Sequence, residues 1–304
     1  MRRKILVIRG GAVGDFILTL PVLAALRRHF PEHRIEVLGY PAVTSLALAA
    51  GLADAASAVE SPRLAGLFAP DGSWAADVTA WFGGFDWIVS YLHDPQDVFR
   101  RNVARCSSAR FVAGPHRPDE TQAVHATLQL LAPLRQLDIH DADPRPRLVF
   151  PDGGASSASG RLAIHPGSGS PGKNWPEARW RELMGRLATG STCEVLLIGG
   201  EAEGDRCARL AAGFPAERVR MARSLPLVEL AREMQTCSAF IGHDSGITHL
   251  AAALDLPGLV LWGETELAVW RPQCGGMKIL RDAAGLSNIA VDAVFRDLES
   301  GAAA

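Results

Sequence analysis

The residues from Phe240 to Leu254, FIGHDSGITHLAAAL, carry the spacing most suggestive of chemistry in this chain. A short apolar run (Ala239, Phe240, Ile241) meets a Gly-His-Asp-Ser-Gly loop, and an Ala/Leu-rich segment with the period of a buried helix follows. A strand that turns into a helix through small residues gathers unpaired backbone N–H groups at one point. The helix dipole adds partial positive charge there, so the place suits an anion, phosphate above all. Asp244 or Ser245 can cap the helix, and Gly246 lets a ligand approach the backbone. Thr248 and His249 fall in the first turn, where a hydroxyl and an imidazole could reach the same anion. An ordinary capped helix would read the same way, so the stretch does not decide the matter alone.

Three further clusters bear on it. Gly167 to Asn174 reads GSGSPGKN, one residue type short of the phosphate-binding pattern G-x-x-x-x-G-K-[ST]. Gly167, Ser168 and Gly169 would expose N–H groups after a strand, and Lys173 would supply the counter-charge. Asn174 stands where a Mg²⁺-binding hydroxyl is needed, which argues for a phosphate-contacting loop rather than a nucleoside triphosphatase; a flexible turn with a solvated lysine is the alternative. Glu201 and Glu203 follow Gly199-Gly200 at the end of another apolar run, where a carboxylate can accept hydrogen bonds from ribose hydroxyls. Acidic residues also favour first helical turns for dipole reasons, so one of the two is expected to be structural. In the first half, Asp15 lies in a glycine-rich turn at a predicted helix start, where an ionised carboxylate could take a proton from an attacking hydroxyl; a helix cap is the competing role.

Other chemistries fit poorly. No G-x-S-x-G elbow is present, and His243 and His249 lack the partners of a zinc site. The turn after the first strand has no G-x-G-x-x-G spacing, and the second strand ends at Gly39-Tyr40 without an acid for a ribose, so a standard NAD site is not expected. Asp141 and Asp143 sit in a Pro-flanked loop and read as surface charge rather than metal ligands. A net charge of −2 gives no basic excess for nucleic acid. Five cysteines, far apart and odd in number, fit a reducing cytoplasm better than a disulfide framework. The charged start MRRKILV leads into an apolar run too short for a signal peptide, and nothing approaches the roughly 18 apolar residues of a spanning helix.

The elements that must position these residues alternate in type. Strands are predicted at Lys4–Ile8, Ile35–Leu38, Trp87–Ser90, Leu162–Ile164, Glu194–Ile198, Ala239–Ile241 and Gly258–Trp262, with helices between them. One helix is predicted to run from Asp15 to about Phe30, and an amphipathic one from Ile289 to Leu298, followed by a frayed tail at Gly301–Ala304. A polar Pro/Gly/Ser-rich segment divides the chain into domains of residues 1–152 and 161–304 with a linker at about 153–160, the last helix being free to pack back on the first domain. Two such α/β halves usually take a ligand in the cleft between them, at the carboxyl ends of the strands.

Four stretches together resemble glycosyltransferase family 9, the heptosyltransferase family of lipopolysaccharide core assembly. They are RGGAVGDFILTLPVLAALRRHFP, IHPGSGSPGKNWPEARWREL, IGGEAEGDR and FIGHDSGITHLAAALDLPGLVLWGETE, in the family's order. The resemblance is dense in the second half and weak between about Pro41 and Gly153. It implies a GT-B fold, two Rossmann-like domains facing across a cleft, and an inverting, metal-independent transfer without a cofactor. The donor it implies is most often ADP-L-glycero-β-D-manno-heptose, and the acceptor a lipopolysaccharide-core glycan or glycolipid. It also implies a cytoplasmic enzyme that can work peripherally at the inner membrane. By motif position Asp15 matches the family's base and Lys173 the donor-phosphate contact. Glu203, and Glu201 after it, match the ribose acid, while Asp244, Ser245, Gly246, Thr248 and His249 match the diphosphate loop. Gly169, Ser170 and Pro171 depart from the family's hydroxyl residues, leaving backbone contacts there. The acceptor side offers Arg63, Arg100, Arg101, Arg105, Arg110 and Arg117 without distinguishing among them. A transferase or epimerase for another nucleotide sugar, a Mg²⁺-dependent NTPase or kinase, and a non-catalytic nucleotide-sugar-binding protein are the competing classes.

Overall fold

The computed structural model describes residues 3–151, 153, 160–200 and 203–302. The expected linker at 153–160 lies largely outside them. The chain divides into two units, Met1–Pro151 and Asp152–Ala304.

In the first unit five strands form one parallel sheet: β1 (Lys4–Arg9), β2 (Arg34–Gly39), β3 (Ala55–Ala58), β4 (Trp87–Ser90) and β5 (Arg110–Ala113). Their order is β3-β2-β1-β4-β5, with Ile5 opposite both Ile35 and Trp87. Ile5 to Ile8 are fully buried, as a central strand covered on both faces requires. Because the strand order reverses between β1 and β4, a crevice opens where their carboxyl ends diverge.

The long helix expected after β1 is two helices, Val13–Ile17 and Leu20–His29. Pro21 is the reason. It has no N–H to give the Ile17 carbonyl, and its ring crowds that turn, so the chain restarts with Pro21 in the tolerated first turn. Thr19 closes the break by donating its hydroxyl to the Asp15 carbonyl at 2.8 Å.

The second unit holds a six-stranded parallel sheet: β6 (Arg161–Ile164), β7 (Glu194–Gly199), β8 (Val219–Arg223), β9 (Ala239–His243), β10 (Gly258–Leu261) and β11 (Met277–Leu280). The order β11-β10-β9-β6-β7-β8 is the doubly wound arrangement again, its switch point between β6 and β9. Trp175, Trp180 and Leu183 from the chain after β6 pack into one core with Ile164, Leu197, Ile241 and Leu261 of the sheet. The last helix runs from Val291 to Ala302, longer than expected, and seats Val291, Val294 and Leu298 in the same core. Gly301 and Ala302, expected in a frayed tail, belong to this helix, and residues 303–304 lie outside the described residues. Among the described residues no helix is long and apolar enough to cross a membrane.

Seven of these eleven strands are the ones predicted from apolar runs. The other four, β3, β5, β8 and β11, are the outermost strands of the two sheets.

Candidate active site

In the second unit the side chains of interest converge on the β6/β9 switch point. β9 ends at His243, Asp244 forms the bend, and the Gly246–Ala253 helix begins. Ser245 is its N-cap, with an extended backbone and an Oγ that accepts the Thr248 N–H at 3.4 Å. Asp244 has another partner: its Oδ2 accepts the Lys173 ammonium at 2.6 Å, across from the loop after β6. Lys173 is half-exposed and Asp244 nearly buried, so the pair presents its cationic side outward. Beside it lie the partly open Ser245 and Gly246. These four expected residues are brought together.

Thr248 and His249 are not presented to solvent. Thr248 is 1% exposed and donates its hydroxyl to the His243 carbonyl, fastening the strand-to-helix turn; His249 is also buried. Ser168 is buried too, its hydroxyl donated to the Ser170 carbonyl at 2.9 Å, whereas Gly169 is open to solvent.

Glu203 is turned inward. Its Oε2 accepts the Gly200 N–H at 2.6 Å, and its Oε1 lies 3.6 Å from His165 Nε2. The His165 hydrogen bond, with the Gly200 amide behind it, holds the carboxyl at about 2. A Cβ at Gly167 would overlap this carboxylate, so the loop passes over Glu203 only because that residue is glycine. Glu201 lies outside the described residues.

Two histidines complete the scaffold. His243 Nε2 accepts the Trp175 N–H at 2.8 Å, which fixes the proton on Nδ1, donated to the Gly167 carbonyl at 3.3 Å. Burial pushes its pKa down to about 3, so it works as a neutral strut joining β9, the phosphate-type loop and the following helix. His165 Nδ1 stands 3.4 Å from Ser245 Oγ and carries the Glu203 brace to the helix cap. Sequence reasoning missed both roles. The only local signal was that each histidine closes an apolar run.

In the first unit Asp15 is the third residue of the Val13–Ile17 helix and reaches back, Oδ2 accepting the Ala12 N–H at 2.9 Å. Gly11 turns the chain with φ +101°, and a Cβ there would stand 2.7 Å from that oxygen. The charge facing Asp15 is the Arg9 guanidinium, whose Nη2 is 3.3 Å from Oδ1. Arg9 is 2% exposed, while the Asp15 side chain keeps 32% of its surface open. Beyond it, the carboxyl ends of β4 and β5 frame a cavity of about 320 Å³ lined by His93, Asp94, Arg100, Phe111 and His116 among others. Of the six arginines expected on the acceptor side, Arg100 lines this cavity. Arg63 pairs with Asp77, Arg117 with Glu120, and Arg105 stacks on Trp74.

Among the described residues no three His, Cys, Asp or Glu side chains cluster as a metal site. Asp141 pairs with Arg28 and His29, and Asp143 with Arg147, all at the surface.

The architecture is that of GT-B glycosyltransferases. Three solved structures share it over nearly the whole of both chains. One is the E. coli ADP-heptose lipopolysaccharide heptosyltransferase II, with TM-score 0.79, 18% identity and coverage of 99% of this chain and 98% of that one. Another is an E. coli heptosyltransferase solved with ADP, at 0.76 and 20%, covering 98% and 99%. A family 9 transferase of Veillonella parvula gives 0.77 and 20%, covering 99% and 98%. The model of glycosyltransferase family 9 (heptosyltransferase) matches residues 92–285, and the chain belongs to that family. In sequence it is 42% identical to lipopolysaccharide heptosyltransferase 1 of Pseudomonas aeruginosa over 94 residues, 31% of this chain and 26% of that protein. It is 25% identical to lipopolysaccharide heptosyltransferase 2 of Salmonella typhimurium over 171 residues, 55% of this chain and 49% of that one. These matches span about a quarter to a half of the curated relatives' length.

Proposed function

We propose that the protein is an inverting glycosyltransferase that moves heptose from ADP-L-glycero-β-D-manno-heptose to a lipopolysaccharide-core glycan or glycolipid without a metal ion. The observation that carries the reading is the convergence of Lys173, Asp244, Ser245 and Gly246 at the start of the Gly246–Ala253 helix. A departing nucleoside diphosphate gathers negative charge. An ammonium and a helix N-terminus, fixed in place beforehand, can stabilise that charge with no divalent ion. The donor phosphates sit on Ser245, Gly246 and Lys173, with the open backbone at Gly169 nearby. Thr248, His243 and His249 shape the turn from beneath. Asp15 takes the proton from the acceptor hydroxyl as it attacks the anomeric carbon, and the ADP leaves in one displacement with inversion. Glu201 is the acid from which a ribose contact would come, since Glu203 is turned inward beneath Gly167. The adenine nucleotide is supported by the family and by the relative solved with ADP. Work at the cytoplasmic face of the inner membrane is part of the same proposal.

Calorimetric titration with ADP and UDP, each with and without EDTA, tests the donor. ADP is expected to bind in preference to UDP and to be indifferent to EDTA. A preference for UDP would remove the heptose donor, and strict dependence on Mg²⁺ would remove the metal-free mechanism.

A further inference from the structure

We propose that Arg9 is the positioning residue for Asp15: its guanidinium fixes the orientation of the carboxylate and ties it to the wall of the cavity at the ends of β4 and β5. The inference rests on Asp15 being the base.

Arg9 is the last residue of β1, so its side chain starts at the point where the strand order reverses. Three of its nitrogens are used. Nη2 addresses Asp15 Oδ1 at 3.3 Å, Nε the Asp15 carbonyl at 3.4 Å, and Nη1 the His116 carbonyl at 2.7 Å. The guanidinium carbon stands 5.8 Å from the centre of the Tyr91 ring, and Tyr91 is itself pinned by its hydroxyl to the Leu130 carbonyl at 2.6 Å. The plane is therefore held at its edge and on one face. His116 belongs to the chain after β5 and lines the cavity. One rigid group thus spans the base and the cavity wall.

A guanidinium this buried is tolerated only when paired. Burial weakens its hold on its proton, and the Asp15 carboxylate offsets part of that loss. With Arg9 on Oδ1 and the Ala12 amide on Oδ2, each carboxylate oxygen has one fixed donor, and the exposed remainder of the group is left for an incoming hydroxyl. Lysine cannot reproduce this, because a point charge lacks the fork that reaches two carbonyls and a carboxylate at once.

The test uses the full-length protein with ADP-heptose and heptose-deficient lipopolysaccharide, comparing wild type, Arg9→Met and Arg9→Lys. Arg9→Met is expected to lower kcat about a hundredfold, the cost of roughly 1 Å of misplacement. The donor KM and the ADP Kd should not move, and Arg9→Lys should restore part of kcat. Unchanged kcat in Arg9→Met, or a loss shared equally by ADP affinity, overturns the inference. A wild type that binds ADP but transfers nothing to this acceptor counts against the proposed function instead. Melting then decides the Arg9 question without turnover. Asp15→Ala should lower the Tm of the wild type more than that of Arg9→Met, whereas equal shifts mean that the two residues are uncoupled and the inference is wrong.

Discussion

Removing the Lys173 ammonium should do more harm than the loss of one contact. In the proposed donor site Lys173 would attract the diphosphate, and it also neutralises Asp244, whose carboxylate lies 2.6 Å from it and is nearly buried. In Lys173→Met the charge-assisted bond to phosphate is lost, about 1.5–3 kcal/mol. Asp244 is then left as a bare anion beside another anion. At ~5 Å, with an effective dielectric between about 20 and 80, that repulsion is about 1–3 kcal/mol. The sum is about 3–6 kcal/mol, a fall in ADP affinity of roughly a hundredfold to twenty-thousandfold. Adding Asp244→Asn removes the repulsive half, so the double variant should bind ADP about tenfold better than Lys173→Met alone. Calorimetry with ADP at low and moderate salt measures both numbers, and the rescue should shrink as salt screens the repulsion. If Asp244→Asn weakens ADP binding in the Lys173→Met background as much as in the wild type, the two residues are not a ligand-facing pair and the reasoning fails.

Other consequences follow from the same geometry. Asp15→Ala should lower transfer about 10²–10⁴-fold while leaving ADP affinity intact, and a loss of ADP binding would contradict its role as base. Gly167→Ala should displace the loop from Glu203, costing about 1–3 kcal/mol, read as a lower Tm together with weaker ADP binding. Acid should destabilise the fold in two overlapping windows, since the folded values of His243 (about 3) and Glu203 (about 2) lie below the ordinary 6.5 and 4.5. Below pH 6.5 the unfolded chain takes up a proton at His243 that the folded protein refuses, so stability falls on acidification by up to about 1.4 kcal/mol per unit until about pH 3. The Glu203 contribution is whole above 4.5 and is lost as pH drops towards 2. In Tm measured against pH, His243→Asn should flatten the slope between 6.5 and 5, and an unchanged slope would show that His243 is not held neutral.

What could be read from the residues depended on whether the signal was local. Ile5–Ile8, Val195–Ile198 and Phe240–Ile241 are interior strands buried on both faces, and such strands announce themselves as apolar runs. The edge strands β3 (AASA) and β8 (VRMAR) mix small, charged and exposed residues; Met221, in the middle of β8, is half-exposed. Nothing in their sequence distinguishes them from loops, and only the neighbouring strand makes them strands. The break at Pro21 was visible in principle, because a proline at the seventh residue of the predicted helix has no N–H to give the Ile17 carbonyl. Lys173, Asp244, Ser245 and Gly246 were legible because each sits in a glycine-rich turn beside an apolar run. Their pairing was not, since Lys173 and Asp244 are 71 residues apart and meet only because β6 and β9 are neighbours. The same holds for His165 with Ser245, 80 apart, and for Arg9 with the His116 carbonyl, 107 apart. The inward turn of Glu203 and Thr248 was hidden for a related reason. Side-chain direction at a strand end is set by which loop passes over it, here Gly167 above Glu203.

The most direct measurement is heptose transfer itself, followed by the configuration of the product. Protein, ADP-L-glycero-β-D-manno-heptose and heptose-deficient lipopolysaccharide are incubated in EDTA, and the new glycosidic linkage is assigned by NMR. The account predicts release of ADP with one heptose joined in the α configuration, and none from Asp15→Ala. Retention of the β configuration, a requirement for divalent metal, or full transfer by Asp15→Ala would contradict it.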